Sequence, residues 1–429
     1  MDTETRVQRG PRVPREPALE PALQRLMQWV EARDYTGYDL YDGLSITRSE
    51  TVLRSYWANT LITQFFKKSP VNLRPLFGMP KTKMPMGAGL FLHAYALLAG
   101  RARREGDDEQ ARRYLDRCEE LYRWLVRQNC PNYSGYAWNF GFNYKFMFDK
   151  PTVVITAMVA RGMYAYYRLT GREEVRHVLR SICDFVLRDL LVTEADEGIC
   201  FSYTPQDNPE RPKMLDCCYN ASMLGAEILA QGYALTGEAP LRDRALRAAD
   251  FTVAHQHADG RWNYSIDLQT GRERPQVDFH QGFILDSLHA IMHHTGARDQ
   301  SYQKALERGA DFYYAEQFAS TGRARWRLPK NWPADIHCQA QGIITFSSLA
   351  HLSDRYGPFA RTIAEWTVAQ MQDETGYFYH RKGRFMTNRI PYMRWGQAWM
   401  MIALAHLVAG AGEKTVTSAP GEGKATATL

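Results

Sequence analysis

Two stretches of the chain, VDFHQGFILDSLHAIMHHTG from Val277 and ADIHCQAQGIITFSSLAHLS from Ala334, open on the same triplet, Asp278-Phe279-His280 and Asp335-Ile336-His337. A carboxylate beside an imidazole can orient the ring, fix its tautomer and stabilise the imidazolium formed when the ring takes a proton. A related stretch, LDCCYNASMLGAEILAQGYALTG, places Asp216 at a comparable point, and Asp149 precedes another such segment. Aspartate at these points also has a plain structural use as a helix N-cap, where it accepts from free backbone N–H groups and favours the positive end of the helix dipole. Capping does not account for the histidines. At a helix N-terminus the dipole disfavours the charged imidazolium and poises the ring as a neutral base or acceptor. His280 and His337, with Asp278, Asp335 and Asp216, are therefore the candidate catalytic groups, and each histidine is followed by a glutamine, Gln281 or Gln339, suited to binding a hydroxyl.

Aromatic and cationic residues recur in the long connections. GYDLYDGL supplies Tyr38, Asp39 and Asp42; PNYSGYAWNFGFNYKF supplies Tyr136, Trp138, Asn139, Asn143 and Lys145; DGRWNYS supplies Trp262. The segment from Tyr377 adds Tyr379, His380 and Arg381, followed by Tyr392, Arg394, Trp395 and Gln397. Aromatic faces stack on the apolar faces of sugar rings, and Arg grips carboxylates through a planar fork. The binding candidates are thus Tyr38, Asp39, Trp138, Asn139, Asn143, Trp262, Gln281, Gln339, Tyr377, Arg381, Arg394 and Trp395, and the pattern suits a glycan, an anionic one in particular. Glycoside hydrolysis needs two carboxylates, which Asp39 or Asp42 with Asp216, Asp278 or Asp335 could supply. Elimination or C5-epimerisation of a uronate needs instead a His or Tyr base, such as His280, His337 or Tyr379, and an Arg or Asn to neutralise the carboxylate. The chain is richer in the second set. A third reading takes Cys217, Cys218, His280, His337 and Cys338 as a zinc set, right in ligand type but without a zinc-site spacing; no metal or other cofactor is expected.

The elements that must position these groups repeat about every sixty residues. Six nearly uncharged stretches begin near Met86, Thr152, Leu215, Val277, Ala334 and Arg394, and are rich in Ala, Gly and aromatics, as for helices contacted on most of their surface. Between them run amphipathic segments such as EEVRHVLRSICDFVLRDLL and YQKALERGADFYYAEQF. Three inner stretches end in Thr-Gly, at Gly171, Gly237 and Gly296, which predicts a left-handed C′ residue and a short turn. The return connections are long, and glycines 198, 260, 322 and 376 lead segments of alternating aromatic and polar residues that read as short β-hairpins. Short turns on one face and long loops on the other predict an all-α (α/α)6 toroid over residues 18–411, with helices at 19–34 and 49–67 completing the ring. Segments 1–17 and 412–429 are expected to be disordered.

This layout, with the phrases GYDLYDGL and RWGQAWMMIALAHLV, resembles the six-hairpin (α/α)6 carbohydrate-active proteins, among them the toroidal domains of glucuronyl C5-epimerases and proteins of exopolysaccharide clusters. The resemblance implies a cup at the N-terminal ends of the inner helices and a glycan substrate. A non-catalytic toroid that binds glycan or protein, and a zinc-dependent cyclase or transferase toroid, are the competing expectations. The net charge of +6 is read as scattered over solvated helix faces, which argues against a nucleic-acid partner. No stretch is apolar enough to span a bilayer, the first residues lack an apolar leader and seven cysteines form no disulfide framework; a cytoplasmic protein is the expectation, with its oligomeric state open.

Overall fold

The computed structural model describes residues 19–144, 149–207 and 217–410, so the two terminal segments and two candidates named above, Lys145 and Asp216, lie outside the described residues. The helices are α1 (Leu19–Glu31), α2 (Glu50–Arg54), α3 (Tyr56–Lys68), α4 (Pro85–Glu105), α5 (Asp108–Arg127), α6 (Val153–Thr170), α7 (Glu173–Arg188), α8 (Tyr219–Thr236), α9 (Ala239–Ala254), α10 (His280–Thr295), α11 (Gln300–Gln317), α12 (Ile336–Ser348), α13 (Tyr356–Met371) and α14 (Trp399–Gly410), the last preceded by a π-helical turn over Met393–Ala398. Helices α4, α6, α8, α10, α12 and α14 pack each on the next, and α14 returns to α4, so they close an inner ring. Close approach depends on small residues: a Cβ on Gly162 of α6 would lie 2.3 Å from the Gly89 carbonyl of α4. Helices α5, α7, α9, α11, α13 and α1 surround them with apolar faces inward, making the (α/α)6 toroid. One expectation is corrected. The helix of residues 49–67 is not part of the ring; Asp108–Arg127 fills that place, and α3 packs instead on the 3-10 turn at Asp42–Ile46, over the mouth.

The predicted C′ glycines 171, 237 and 296 are left-handed, at φ 63°, 73° and 66°. The glycines of the long loops do a different job. At Gly260 (φ 93°) a Cβ would stand 2.3 Å from the Arg308 carbonyl of α11, and at Gly376 (φ 109°) 2.4 Å from the Arg25 carbonyl of α1. Glycines 135, 198 and 322 repeat this contact against α7, α9 and α13. Only Gly198 sits in an extended hairpin, β1 (Leu190–Ala195) with β2 (Gly198–Pro205); Gly322 and Gly376 reverse the chain between isolated bridges, Phe318 with Ala324 and Gln372 with Phe378. Two three-stranded antiparallel sheets stand at the mouth: β3 (Cys217–Cys218), β4 (Ser265–Asp267) and β5 (Arg272–Arg274), and β6 (Ala334–Asp335), β7 (Arg381–Lys382) and β8 (Thr387–Asn388).

A side chain near the start of each inner helix from α6 onward holds the adjoining loop. Gln281 accepts from the Trp262 N–H (3.2 Å) and donates to the Trp262 carbonyl (2.6 Å). Gln397 does the same for Phe378 (2.7 and 2.9 Å), and Gln339 accepts from Ala324 N–H while donating to Gly322 O at 3.2 Å. Thr156 and Ser222 occupy the corresponding places, accepting from Trp138 N–H (3.2 Å) and Phe201 N–H (3.1 Å). Gln281 and Gln339 are thus buried brackets for the loops and do not face the cavity as substrate-binding groups. Trp138 and Trp262 are corrected likewise: both are fully buried, with indole N–H groups donating to Leu125 O (2.8 Å) and Thr252 O (2.7 Å).

The far half of the toroid axis is polar. Arg161 of α6 makes a bidentate pair with Glu227 of α8 (2.7 and 2.6 Å) and reaches Ser287 of α10 at 3.4 Å. His93 faces His406, and His289 stacks on His351. Burial above all lowers the pKa of His289, His294 and His406 to about 4.

Three outcomes follow from this packing. Gly260→Ala is expected to cost about 2–3 kcal/mol in denaturant unfolding, combining backbone strain and overlap with α11, whereas Gly171→Ala, with no atom within 4 Å, costs about 1–2 kcal/mol from the left-handed backbone alone. Glu227→Gln strands the buried Arg161 charge and should cost about 3–5 kcal/mol, much of it recovered in an Arg161→Met/Glu227→Leu pair. Because the unfolded chain binds protons near 6.5 that the folded histidines refuse until about pH 4, stability should be level above pH 7 and fall as pH drops from 6.5 towards 4; His406→Gln should make that fall shallower in denaturation midpoints taken across pH.

Candidate functional site

The N-terminal ends of the inner helices surround a cavity of about 270 Å3. Two residues before each loop-holding side chain, the inner helices from α6 onward present Val154, Asn220, Phe279, His337 and Trp395, and α4 supplies Met86, so every unit of the ring contributes to the floor. This register explains why the two triplets differ. Aligned on their brackets, Gln281 and Gln339, Phe279 and not His280 matches His337, and the repeated Asp-x-His is offset by one residue between the copies.

In the first copy the offset turns His280 to the wall. Its Nδ1 lies 2.5 Å from Asp278 Oδ1, which also accepts the His280 backbone N–H at 3.2 Å. Asp278 Oδ2 takes the Gln276 amide at 2.9 Å and faces Arg327 Nε at 3.5 Å. Burial would raise this carboxyl, but His280, its hydrogen bonds and Arg327 outweigh it and lower the pKa, so Asp278 is ionised. An ionised acceptor at Nδ1 fixes the proton there and leaves Nε2 with its lone pair for a ligand. The edge of Tyr264 (4.9 Å) and the face of Phe279 (4.2 Å between centroids) fix the ring plane.

In the second copy the same residue types do something else. Asp335 accepts from the His337 N–H (3.1 Å), Trp395 Nε1 (3.0 Å) and Arg381 Nε (2.7 Å), and His380 lies 3.5 Å away. These partners, Arg381 first among them, hold its pKa far below the carboxylate range despite complete burial. Asp335 therefore positions Arg381 and Trp395 and does not line the cavity. His337 lies between Phe279 (4.3 Å), Trp395 (4.5 Å) and Trp399 (4.4 Å), and neither ring nitrogen has a hydrogen-bond partner among the described residues. Burial depresses it to about 3, so it is neutral.

Of the residues singled out in the sequence, the structure brings Asp278, His280, His337, Arg381, Arg394 and Trp395 to this cavity. The others lie elsewhere. Asp39 is fully buried, bonding Arg394 (2.7 Å) and, through its carbonyl, Arg74 (2.7 Å), whose Nε meets Asp42 at 2.6 Å; this network fastens the 38–46 segment to the ring. Tyr38 is half-buried under Lys81, and its carbonyl accepts from Met393. Alternation along the last loop sends Phe378 and His380 inward, so Tyr377 packs on Trp29 and Tyr379 bonds Asp373 (3.0 Å) at the outer ring. Asn139 reaches the Asp149 carbonyl (3.1 Å); neither it nor Asn143 lines the cavity, and Thr152, not Asp149, caps α6. Cys338 donates towards Trp326 O (3.7 Å), and among the described residues no three His, Cys, Asp or Glu side chains converge as a metal site.

Several lining residues escaped the sequence reading. Arg274 and Tyr264 come from the 260s loop, Trp326 and Arg327 from TGRARWR, and Lys67 from α3, where it donates to Tyr41 OH at 3.2 Å. Arg274 lies over Tyr264 (4.8 Å) and Arg381 over Trp326 (4.8 Å). For Trp326 and Arg327 the available signal was their adjacency shortly after Gly322; Arg274, ten residues beyond Tyr264, carried no such signal. Lys67 was hidden by placing its helix in the ring. Among the described residues the charged lining is thus Lys67, Arg274, Arg327, Arg381 and Arg394 against Asp278. Burial raises the pKa of the Tyr144, Tyr203 and Tyr264 phenols, which remain O–H donors.

No family model and no curated protein sequence matches this chain. Solved structures do. Cellobiose 2-epimerase from Bacillus thermoamylovorans B4167 superposes with a TM-score of 0.62 at 14% identity, over 78% of this chain and 90% of that one. A family 76 glycoside hydrolase from a bovine Bacteroides thetaiotaomicron strain gives 0.63 at 12% identity, over 93% and 79%. The unsaturated glucuronyl hydrolase with dGlcA-Glc-Rha-Glc gives 0.56 at 14%, over 90% and 94%. The chain has the six-hairpin, glycosidase-like (α/α)6 toroid shared by these carbohydrate-processing enzymes.

Proposed function

We propose that this protein is a carbohydrate-active enzyme that removes the C5 proton of a uronate residue in an anionic glycan, leading to elimination or C5-epimerisation. The observation that carries the reading is the Asp278–His280 dyad at a cavity whose charged lining, among the described residues, is one acid and five cations, of which Arg381 and Arg394 are paired with the buried Asp335 and Asp39. The likeness to a sugar epimerase, and to a hydrolase bound to a glycan with an unsaturated uronate, supports the substrate class.

His280 Nε2 takes the C5 proton, and Asp278 stabilises the imidazolium. The C5 electron pair moves into the carboxyl group, whose growing negative charge needs fixed cations. Arg381 supplies one: its Nε is held by Asp335, which leaves the terminal guanidinium nitrogens for the ligand. Return of a proton from a lining tyrosine phenol to the opposite face of C5, the phenolate then regaining a proton from solvent, completes epimerisation; departure of the C4 oxygen substituent with the C4–O electron pair, protonated by such a phenol, completes elimination. Carboxylate-pair hydrolysis is the weaker reading, because Asp278, the one acid lining the cavity among the described residues, is already engaged by His280, Gln276 and Arg327.

The test is incubation of the protein with uronate oligosaccharides in deuterated water, read by NMR and by absorbance of the unsaturated product. Deuterium at C5 without cleavage marks an epimerase, and unsaturation an eliminase. His280→Gln should lower turnover about 10²- to 10⁴-fold while ligand binding persists, and Arg381→Lys should weaken both binding and turnover. Full turnover in His280→Gln, or new reducing ends without deuterium or unsaturation, would overturn the reading.

A further inference from the structure

Helix α3 has two faces. Thr63, Gln64 and Lys67 look into the cavity, and Asn59, Thr63 and Phe66 pack beneath it. Trp57, Leu61 and Phe65, spaced four apart on the outside, stand 73%, 68% and 51% exposed. The chain after α3 extends this surface with Val71, Leu76 and Phe77, and Phe77 rests edge-on against Phe65 (6.2 Å). The turn between β7 and β8 carries Phe385, 95% exposed, and Met386. Asn388 of that hairpin donates to Ser69 O at the end of α3 (3.4 Å), which joins the two parts into one rim. Exposed aromatic and aliphatic groups gathered this way on one edge mark an interaction surface.

The charges of the rim say what it meets. Segments 47–83 and 381–392 contain eleven Lys and Arg and one acid, Glu50, out of 53 basic and 47 acidic residues in the chain. The whole net charge of +6 therefore resides in these two segments, contrary to the scatter expected from sequence, and the remainder is slightly acidic. Four of these cations face inward: Arg74 pairs with Asp42, Lys83 with Asp34 and Arg381 with Asp335, and Lys67 lines the cavity. Arg48, Lys68, Lys81, Arg384 and Arg389 are exposed in these segments, with Lys68 at the end of α3 and Arg384 next to Phe385.

We infer that this rim docks on an anionic lipid surface, with Trp57, Leu61, Phe65, Leu76, Phe77 and Phe385 entering the interface and the flanking cations pairing with lipid headgroups. Tryptophan, Phe and Leu beside Lys and Arg form the amphipathic surface that lies in a bilayer interface without spanning it, and no described helix is long and apolar enough to cross. A second copy fits less well, because a two-fold contact would set the same cations against themselves. Nucleic acid would leave Leu61, Leu76 and Met386 without an apolar partner. Docked through this rim, the cavity mouth lies beside the bilayer, where a glycan carried on or near lipid would enter it.

Flotation of the full chain with lipid vesicles tests this independently of any reaction. Binding is expected to vesicles containing phosphatidylglycerol, to be weak on phosphatidylcholine alone and to fall with salt. A Trp57→Ser/Phe65→Ser double variant should lose at least tenfold in binding, and Lys68→Gln or Arg384→Gln about fivefold each on the anionic vesicles, from about 1 kcal/mol per cation near such a surface. The replaced groups are exposed, so circular dichroism should show all these variants folded. Equal binding to neutral and anionic vesicles, no flotation at all, or a stable dimer in light scattering that the double variant dissociates, would each overturn the proposal.

Discussion

The toroid depends on one repeated hydrogen bond: a buried side chain near the start of an inner helix accepts the backbone N–H of the loop that has just reversed on its glycine. A long connection crossing the end of a helix bundle brings backbone donors and acceptors into an interior where an unpaired one costs about 1–3 kcal/mol. Gln281 and Gln397 satisfy a donor and an acceptor at once, and the absent Cβ of the loop glycine lets the turn lie against the next outer helix. Each loop is therefore held at both edges. Only then can Tyr264, Trp326 and Arg381 hold fixed positions over the cavity.

That interaction also explains what was readable in the sequence. Periodicity gave away the inner helices because being contacted on most sides requires apolar residues all round, and the loop glycines stood out by their spacing. The site was harder to read. Glutamine beside a catalytic candidate looks the same whether it brackets a loop or binds a hydroxyl, and Trp138 and Trp262 look like sugar platforms until their indoles are found bonded inside the outer ring. The Asp-x-His repeat was real as a string but shifted by one residue against the brackets, so one histidine gained a carboxylate partner and the other a stack of aromatic rings. Helix α3 misled for a related reason. A stripe at Trp57, Leu61 and Phe65 specifies an apolar neighbour without saying whether the rest of the chain provides it.

The two aspartates show how context sets the role of a residue type. Asp335 meets an Arg, an indole and a backbone N–H, which use up its lone pairs and make it a fixed support. Asp278 meets an imidazole and orients the ring through Nδ1, so the same residue type holds a side chain that lines the cavity. His337, neutral and without a polar partner among the described residues, adds a polar edge to an aromatic floor, where a ligand hydroxyl could bond it.

Beyond the individual side chains, the direction of the inner helices matters. All six point their N-termini at the cavity, each bringing a partial positive charge from unsatisfied backbone N–H groups. These add to Lys67 and the four lining arginines, and the low dielectric of a closed cup strengthens them together. The same field favours the ionised form of Asp278 and of any anion that enters the cup. On the proposed function, the field that draws in a uronate carboxylate is the one that stabilises the charge growing on it as the C5 proton leaves, so recognition and the chemical step use the same groups.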